Sequence, residues 1–508
     1  MEQTSRSSQP SSAPPLPPEG TADAAGSGSA AGEPAATHDA QIPEALRAMM
    51  MDGWAPSTEP LPTALPVAAH AAKRRTAVSA AFPSDTLVVP TGGLVPRAND
   101  TDHPFRAGSD YAWLVGDLEP DGVLVLTPAS DAGQTGGGHE AVVYVPARSD
   151  RTSTAFFTDR RHGELWVGPR WGVEEVGSAC AVTTAPRSDL VGALAGLTGR
   201  VRVLRGRDAE VDAAVAVTDD GTIDGELATA LSELRLIKDD LEVAMLQQAV
   251  DATVTGFTEV ARELGAAQAL PTGERWLEGT FWRRARTDGN DVGYGSIVAC
   301  GHHATTLHWV RDDGPVRDGE LLLLDMGVES RALYTADVTR TLPVSGRFTP
   351  AQRRVYDAVH RAQRAGLAAV APGVEYLAPH RATMRVLAAE LIAWGLLDEP
   401  LEDVLKDQLH QRWTLHGTSH HLGLDVHDCA AARSELYRQG TLRAGMVITV
   451  EPGLYFQRDD ERVPAELRGI GVRIEDDVLV TEDGARVLSA ALPTAADEVE
   501  AWVQSLRS

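Results

Sequence analysis

Carboxylates close two of the most apolar strand-like runs in this 508-residue chain. In LLLLDMG four leucines end on Asp325, and in VITVEPG a β-branched run ends on Glu451, with Pro452-Gly453 forcing a turn behind it. A carboxylate at the end of a buried strand is costly unless something compensates its charge. Downstream of Asp325, ADVTRT alternates so that Asp337, Thr339 and Thr341 share one face, and a hairpin-like return would bring both aspartates together. In GVRIEDD, Glu475 and Arg473 share a face, Asp476 points away, and Asp477 turns back. A fully exposed edge is the alternative account of RIEDD.

HGTSHHLGLDVHD is the most specific pattern. His416, His420 and His427 fall at offsets 0, 4 and 11, with Asp425 and Asp428 interleaved, in a glycine-containing stretch too irregular for a simple helix. One histidine alone reads as a hydrogen-bonded structural residue; three at these offsets are hard to explain as packing. Asp325, Asp337, His420, Glu451 and Glu475 together offer four carboxylates and one imidazole, a charge that balances two divalent cations. Such an oxygen-rich set suits manganese, magnesium or iron better than a thiolate-type zinc site. Two such ions could hold a hydroxide ready to attack an amide bond.

The length implies two folded domains plus a tail, and a hydrophobic fraction of 43% supports two cores. With 46 basic against 72 acidic residues the net charge is −26, which argues against nucleic acid and anionic membranes as partners. Cys180, Cys300 and Cys429 are far apart and odd in number, so they read as small buried residues rather than a disulfide framework. MEQTSRSSQPSSAPPLPP lacks the basic-then-apolar order of a secretory signal, and nowhere do about 18 apolar residues run together. The expected compartment is the cytoplasm.

Residues 1–40 are mostly Ser, Ala, Gly, Pro and Thr and read as a disordered tail. Residues 41–69 read as a short amphipathic helix, IPEALRAMMM, and a proline-rich linker. Residues 70–235 read as an α/β domain, with strands DTLVVPTG, DYAWLVG, GVLVLTP, AVVYVPA and VRVLRG around helical stretches such as DLVGALAGL. Asp239 or Asp240 is placed to cap the next helix, so residues 236–508 form the second domain. There SIVACG, ELLLLDMG, DVTRTLPV, MVITVEPG and VRIEDDVLVT read as strands, and VYDAVHRAQRAGLAAV and HRATMRVLAAELIAWG as long helices. No P-loop, no GxGxxG between strand and helix, and no GxSxG elbow is present.

From about residue 235 to 490 the chain resembles the pita-bread metallopeptidases, and within them aminopeptidase P. IVACGHHATTLHW, LDMG, ADVTRTLPVSG, HGTSHHLGLDVHD, TVEPGLY and GIGVRIEDD carry the resemblance, in that order. RANDTDHPFRAGSDYAWLVGDLEPDGVLVL and ELWVGPRWG resemble, more loosely, that family's creatinase-like non-catalytic domain. The resemblance implies an α/β (α+β) chain with a pita-bread catalytic domain that releases the first residue of peptides with proline second. It implies that Asp325 chelates one metal, that His420 and Glu451 bind the other, and that Asp337 and Glu475 bridge both. The implied cofactors are two divalent ions, manganese first, sharing a hydroxide nucleophile. His308 matches a histidine near the scissile bond, His427 one that contacts the substrate carbonyl, and His416 one lining the proline-side pocket. Arg473 matches an arginine behind the metal carboxylates, and Glu451 is also the candidate proton acceptor. The spacing of the two aspartates is one residue longer than the family pattern, an excess assigned to the loop ESRALYTA. The implied partners are peptide substrates and further copies of the chain, as a dimer or tetramer. Prolidase shares all five ligands, but Ser419 before His420 and the motif around it follow the aminopeptidase pattern more closely. A metal-free binding protein or creatinase-like hydrolase on the same scaffold lacks several of these ligands, whereas every position is filled here.

Overall fold

The computed structural model describes residues 42–55, 59–99, 101–129 and 138–506. The tail read at 1–40 lies outside them, as does Pro56 of the linker. The short helix is present as Glu44–Met51, ended by Asp52. Beyond the linker, helix Val67–Ala81 leads into a five-stranded sheet. Its order is Thr183–Pro186, His139–Val145, Val123–Pro128, Thr86–Pro90, Val201–Val203, with Val123–Pro128 antiparallel to both neighbours. Leu87, Val89, Leu124, Leu126 and Val143 fill the core on one face of this sheet.

DYAWLVG is a helix, not a strand: Ser109–Val115 runs from Gly108 to Gly116, which closes it at a φ of +86°. All of Tyr111, Ala112, Trp113, Leu114 and Val115 are buried. A short helix buried on every side shows no amphipathic period, so its apolar run cannot be told from a strand by pattern. The long helix Asp240–Arg262 begins where the sequence places it. The Asp239 carboxylate accepts from Glu242 N–H while the Glu242 side chain returns to Asp239 N–H.

The second half is built on antiparallel pairs. Leu321–Met326 lies between Ile297–Cys300 and Val338–Pro343. Val447–Val450 pairs with Asp476–Thr481, which pairs with Gly484–Val487, and Gly453–Tyr455 pairs with Gly471–Arg473. Helices Pro350–Ala368 and Ala378–Ala393 pack on each other and on the strands. The first starts five residues before the apolar pattern suggests. Thr349 and Gln352 form a reciprocal capping box there, and Pro350 occupies the first turn. All three cysteines are buried and free.

Strand alternation decides what faces the centre. Leu322, Leu324 and Met326 enter the main core with Phe281, Val338 and Leu342, whereas Leu323 packs with Ile297, Ala299 and Tyr455 on the opposite face. Asp325 shares the Leu323 face. Between the two aspartates the chain turns at Ser330–Tyr334, where Ser330 N–H meets the Tyr334 carbonyl and Leu333 takes a φ of +68°. That left-handed residue is strained for a bulky side chain.

Candidate active site

The hairpin-like return forms as expected. Asp325 stands opposite Thr339 in the antiparallel ladder, two residues from Asp337. Both aspartates place a carboxylate oxygen within hydrogen-bond distance of one hydroxyl, Tyr294, at 2.7 and 2.6 Å, and its single proton is available to either. Tyr294 was not visible as a site residue in the sequence, because a tyrosine beside glycines in GYGSIVACG carries no ligand spacing. Burial first, and then the charges of Asp325, Asp337 and Glu475, push its pKa far up, so it is a neutral donor there.

VRIEDDVLVT is two strands rather than one, and the break carries the chemistry. Glu475 sits between Gly471–Arg473 and Asp476–Thr481, with its N–H on the Thr339 carbonyl and its carboxylate accepting from Thr339 Oγ1 at 2.6 Å. Asp476 does point the other way, into a buried pair with Arg340 at 2.7 Å. Asp477 turns back and accepts the Asp337 N–H at 3.1 Å. Glu475 and Asp476 are buried, so the exposed-edge account of RIEDD is excluded.

His420 lies with Nε2 3.2 Å from Asp337 Oδ2 and 3.8 Å from Glu451 Oε1. Its Nδ1 is 3.1 Å from the His421 carbonyl, which fixes the ring with Nε2 toward the carboxylates. Burial opposes protonation of this imidazole, but Asp337 and Glu451 outweigh it and raise its pKa to about 9. Burial and the neighbouring charges of Asp337, Glu451 and Asp325 hold the Glu475 carboxyl well above the usual carboxylate range. Asp325 is also raised by burial, although Arg473 Nη2 at 2.5 Å and its charge work against this. Buried acids whose pKa values are raised by one another's charge mark a place where positive charge is wanted.

One oxygen or nitrogen each from Asp337, His420 and Glu475 lie within 4.8 Å of one another, and Asp325 and Glu451 border the same space. That space is an open cavity of about 770 Å³, and its walls include all five carboxylate and imidazole residues together with His308, His416, His427 and Arg473. His416 Nε2 bonds the Tyr455 hydroxyl at 2.8 Å, and Arg473 Nη1 donates to the same hydroxyl at 3.0 Å. Tyr455, in TVEPGLY, thus links the two, a role the sequence gives no sign of. His427 meets His420 edge-on with ring centroids 4.4 Å apart. His421 is fully buried, stacked on Tyr376 and edge-on to Tyr437, with no hydrogen bond to either ring nitrogen among the described residues. Val426, Ile297 and Leu307 supply apolar wall. Such an arrangement can hold two cations, present histidine protons to a carbonyl, and seat an apolar ring.

The model of metallopeptidase family M24 matches residues 244–482, and that of the aminopeptidase P N-terminal domain matches residues 71–200. Xaa-Pro aminopeptidase 1 of Streptomyces coelicolor is 53% identical over 466 residues, covering 92% of this chain and 93% of that protein. The Xaa-Pro aminopeptidase of Escherichia coli is 30% identical over 452 residues, covering 86% of this chain and 97% of its own. Among solved structures, E. coli aminopeptidase P with the inhibitor Pro-Leu is similar with a TM-score of 0.76 at 29% identity, over 87% of this chain and 99% of that one. A zinc-substituted form of the same enzyme in complex with product is similar to the same degree, with a TM-score of 0.76.

Proposed function

The chain belongs to metallopeptidase family M24, on its aminopeptidase P branch, and from that premise we propose that it releases the N-terminal residue from peptides with proline second. The observation that carries the reading is the convergence of four carboxylates and one imidazole on a single cavity. The donor set fits two hard divalent cations. It is rich in oxygen, its carboxylates repel one another when no cation lies between them, and none of the three cysteines lines the cavity. We assign Asp325 to one ion, His420 and Glu451 to the other, and Asp337 and Glu475 to both, with manganese as the metal. When bound, the two ions supply Lewis acidity and lower the pKa of water for amide hydrolysis.

This chain's own residues supply the rest. Glu451, with Oε1 toward His420 and Oε2 3.5 Å from His416, takes the proton released by the attacking water. His427 and His308, on the cavity wall, hydrogen-bond the oxygen that gains charge and the departing amine. His416, held by Tyr455, borders the proline side, and Arg473 holds Asp325 in place. Proline has a locked φ and no N–H, so a rigid apolar wall can receive it without an unpaired donor. A free α-amine is drawn to the acidic end of the cavity, which favours removal of one residue from the N-terminus.

The same reading divides the chain into residues 70–235 and 236–508; the two family matches fall on either side of that boundary. It expects the protein in the cytoplasm; separately, among the described residues no helix is long and apolar enough to cross a membrane. It also expects a homo-oligomer. Leu165, Trp166 and Val167, each more than half exposed and consecutive, would be covered by such a contact. The test of function is the choice among three peptides: an Xaa-Pro-Xaa tripeptide, the Xaa-Pro dipeptide, and the tripeptide with alanine second. Release of the first residue from the Pro tripeptide alone is expected. Cleavage of the dipeptide alone would make the protein a prolidase, and cleavage of none would end the reading.

A further inference from the structure

His427 has no hydrogen bond to its ring among the described residues and stands exposed in a stretch, 422–440, with neither helix nor strand. Its position is set by the backbone on either side, and charged side chains from far earlier in the chain hold that backbone. Arg106 donates from Nη2 to the Leu424 carbonyl at 2.7 Å, from Nε to Glu329 at 2.5 Å, and from Nη1 to Ser109 Oγ at 3.1 Å. Ser109 in turn donates to Asp425 Oδ1 at 2.6 Å. Past His427, Asp428 is held by Arg235 and by Lys238 Nζ at 3.1 Å, and Arg235 also reaches Asp110 at 2.7 Å and Asp425 at 3.0 Å. Residues 424, 425 and 428 are each tied down, and His427 lies between the ties.

We propose that Arg106 is a positioning residue for the reaction: through Leu424 and Asp425 the N-terminal domain sets where His427 points. The inference rests on the reading of His427 as a group that meets the substrate carbonyl. Arg106 suits the task because a planar guanidinium satisfies three acceptors at once in fixed directions. Its bond to the Leu424 carbonyl is charge-assisted and stronger than a neutral one. Without it, among the described residues the buried Glu329 carboxylate keeps Asn290 Nδ2 at 2.7 Å, and the Leu424 carbonyl, three residues before His427, keeps the neutral Thr335 hydroxyl at 3.5 Å. Catalytic groups lose about 10²-fold for a displacement of about 1 Å, so a loosened loop is felt in turnover rather than in binding.

The test compares Arg106→Ala, Arg106→Lys and Ser109→Ala in the manganese-loaded full chain, each alone and combined with His427→Ala. Arg106→Ala is expected to lower kcat by about 10- to 100-fold with KM changed less than about 3-fold and metal content unchanged, and Arg106→Lys to recover part of the loss. In the His427→Ala background the same change is expected to cost less than about 3-fold, because the group it positions is gone. An equal loss in both backgrounds, or no loss of kcat in either, overturns the proposal. Near-normal turnover of His427→Ala alone sinks the reading of His427 itself, and the proposal with it. Should Arg106→Ala fail to fold, Ser109→Ala removes two bonds of the same set, the one accepted from Arg106 and the one donated to Asp425, and is held to the same two-background comparison, with an expected loss of about 3- to 10-fold.

Discussion

Asp337 meets the Tyr294 hydroxyl, His420 Nε2 and, through its backbone, Asp477. Glu475 is its counterpart from the break between two strands. Replacing either by alanine should abolish turnover and release metal, because a bridging ligand lost to both ions leaves the remaining carboxylates repelling one another. Near-normal turnover with two bound metals in either variant would remove the bridging assignment. The two neighbouring histidines separate position from chemistry. His427→Ala should lower kcat by about 10²–10³-fold with both metals retained. His421→Ala should leave kcat near normal but cost about 2–4 kcal/mol of stability, as a buried ring stacked on Tyr376 is removed. His421→Phe keeps the ring and deletes two unpartnered nitrogens, so it should hold or raise the melting temperature. Equal kinetic losses in the His427 and His421 alanine variants would mean that the motif's roles are misassigned.

At the scale of elements, the strands that end in acids were legible because alternation and a terminal carboxylate both survive in one dimension. Leu321–Met326 and Val447–Val450 lie where the sequence puts them. What was not legible depends on neighbours distant in sequence. Ser109–Val115 shows no helical period because nearly all of it is buried, and the break at Glu475 lies between two strands that pair with different partners. Tyr294 and Tyr455 matter only through the groups the fold brings to their hydroxyls. Asp117, just past that buried helix, gives a test of the N-terminal domain. Burial pushes its pKa from 3.8 up to about 6, against the Glu119 N–H and the Tyr111 hydroxyl, which both donate to it. The folded state therefore holds this proton more tightly than the unfolded chain. The stability it contributes is complete below about pH 3.8 and is lost as pH rises through about 6. Relative to Asp117→Asn, the wild-type protein should lose at most about 3 kcal/mol across that window, measured by denaturant unfolding at each pH. A difference that stays constant from pH 4 to 7, or grows as pH falls, would contradict this.

At the scale of the whole molecule, a net charge of −26 and a crowded cluster of acids lead us to expect that bound cations stabilise the folded chain. Manganese should raise the melting temperature by mass action, about 2.7 kcal/mol at a hundredfold excess over Kd, and a chelator should reverse it. A melting temperature indifferent to both would mean that the cluster holds no metal. Residues 1–40 lack the apolar content for a core, so their deletion should leave metal binding and turnover unchanged, as read by the same titration and peptide assay. A large loss of either would mean that this segment packs on the catalytic domain. Everything else in the account hangs on two ions in one cavity acting on an Xaa-Pro bond. The most direct measurement is a manganese titration of the chelator-stripped full chain, with bound metal and Xaa-Pro-Xaa hydrolysis followed in the same samples. No hydrolysis is expected in the stripped protein, with two ions bound per chain at saturation and activity that rises as the pair fills. Full hydrolysis by the metal-free protein, or saturation with no ion bound, would contradict it.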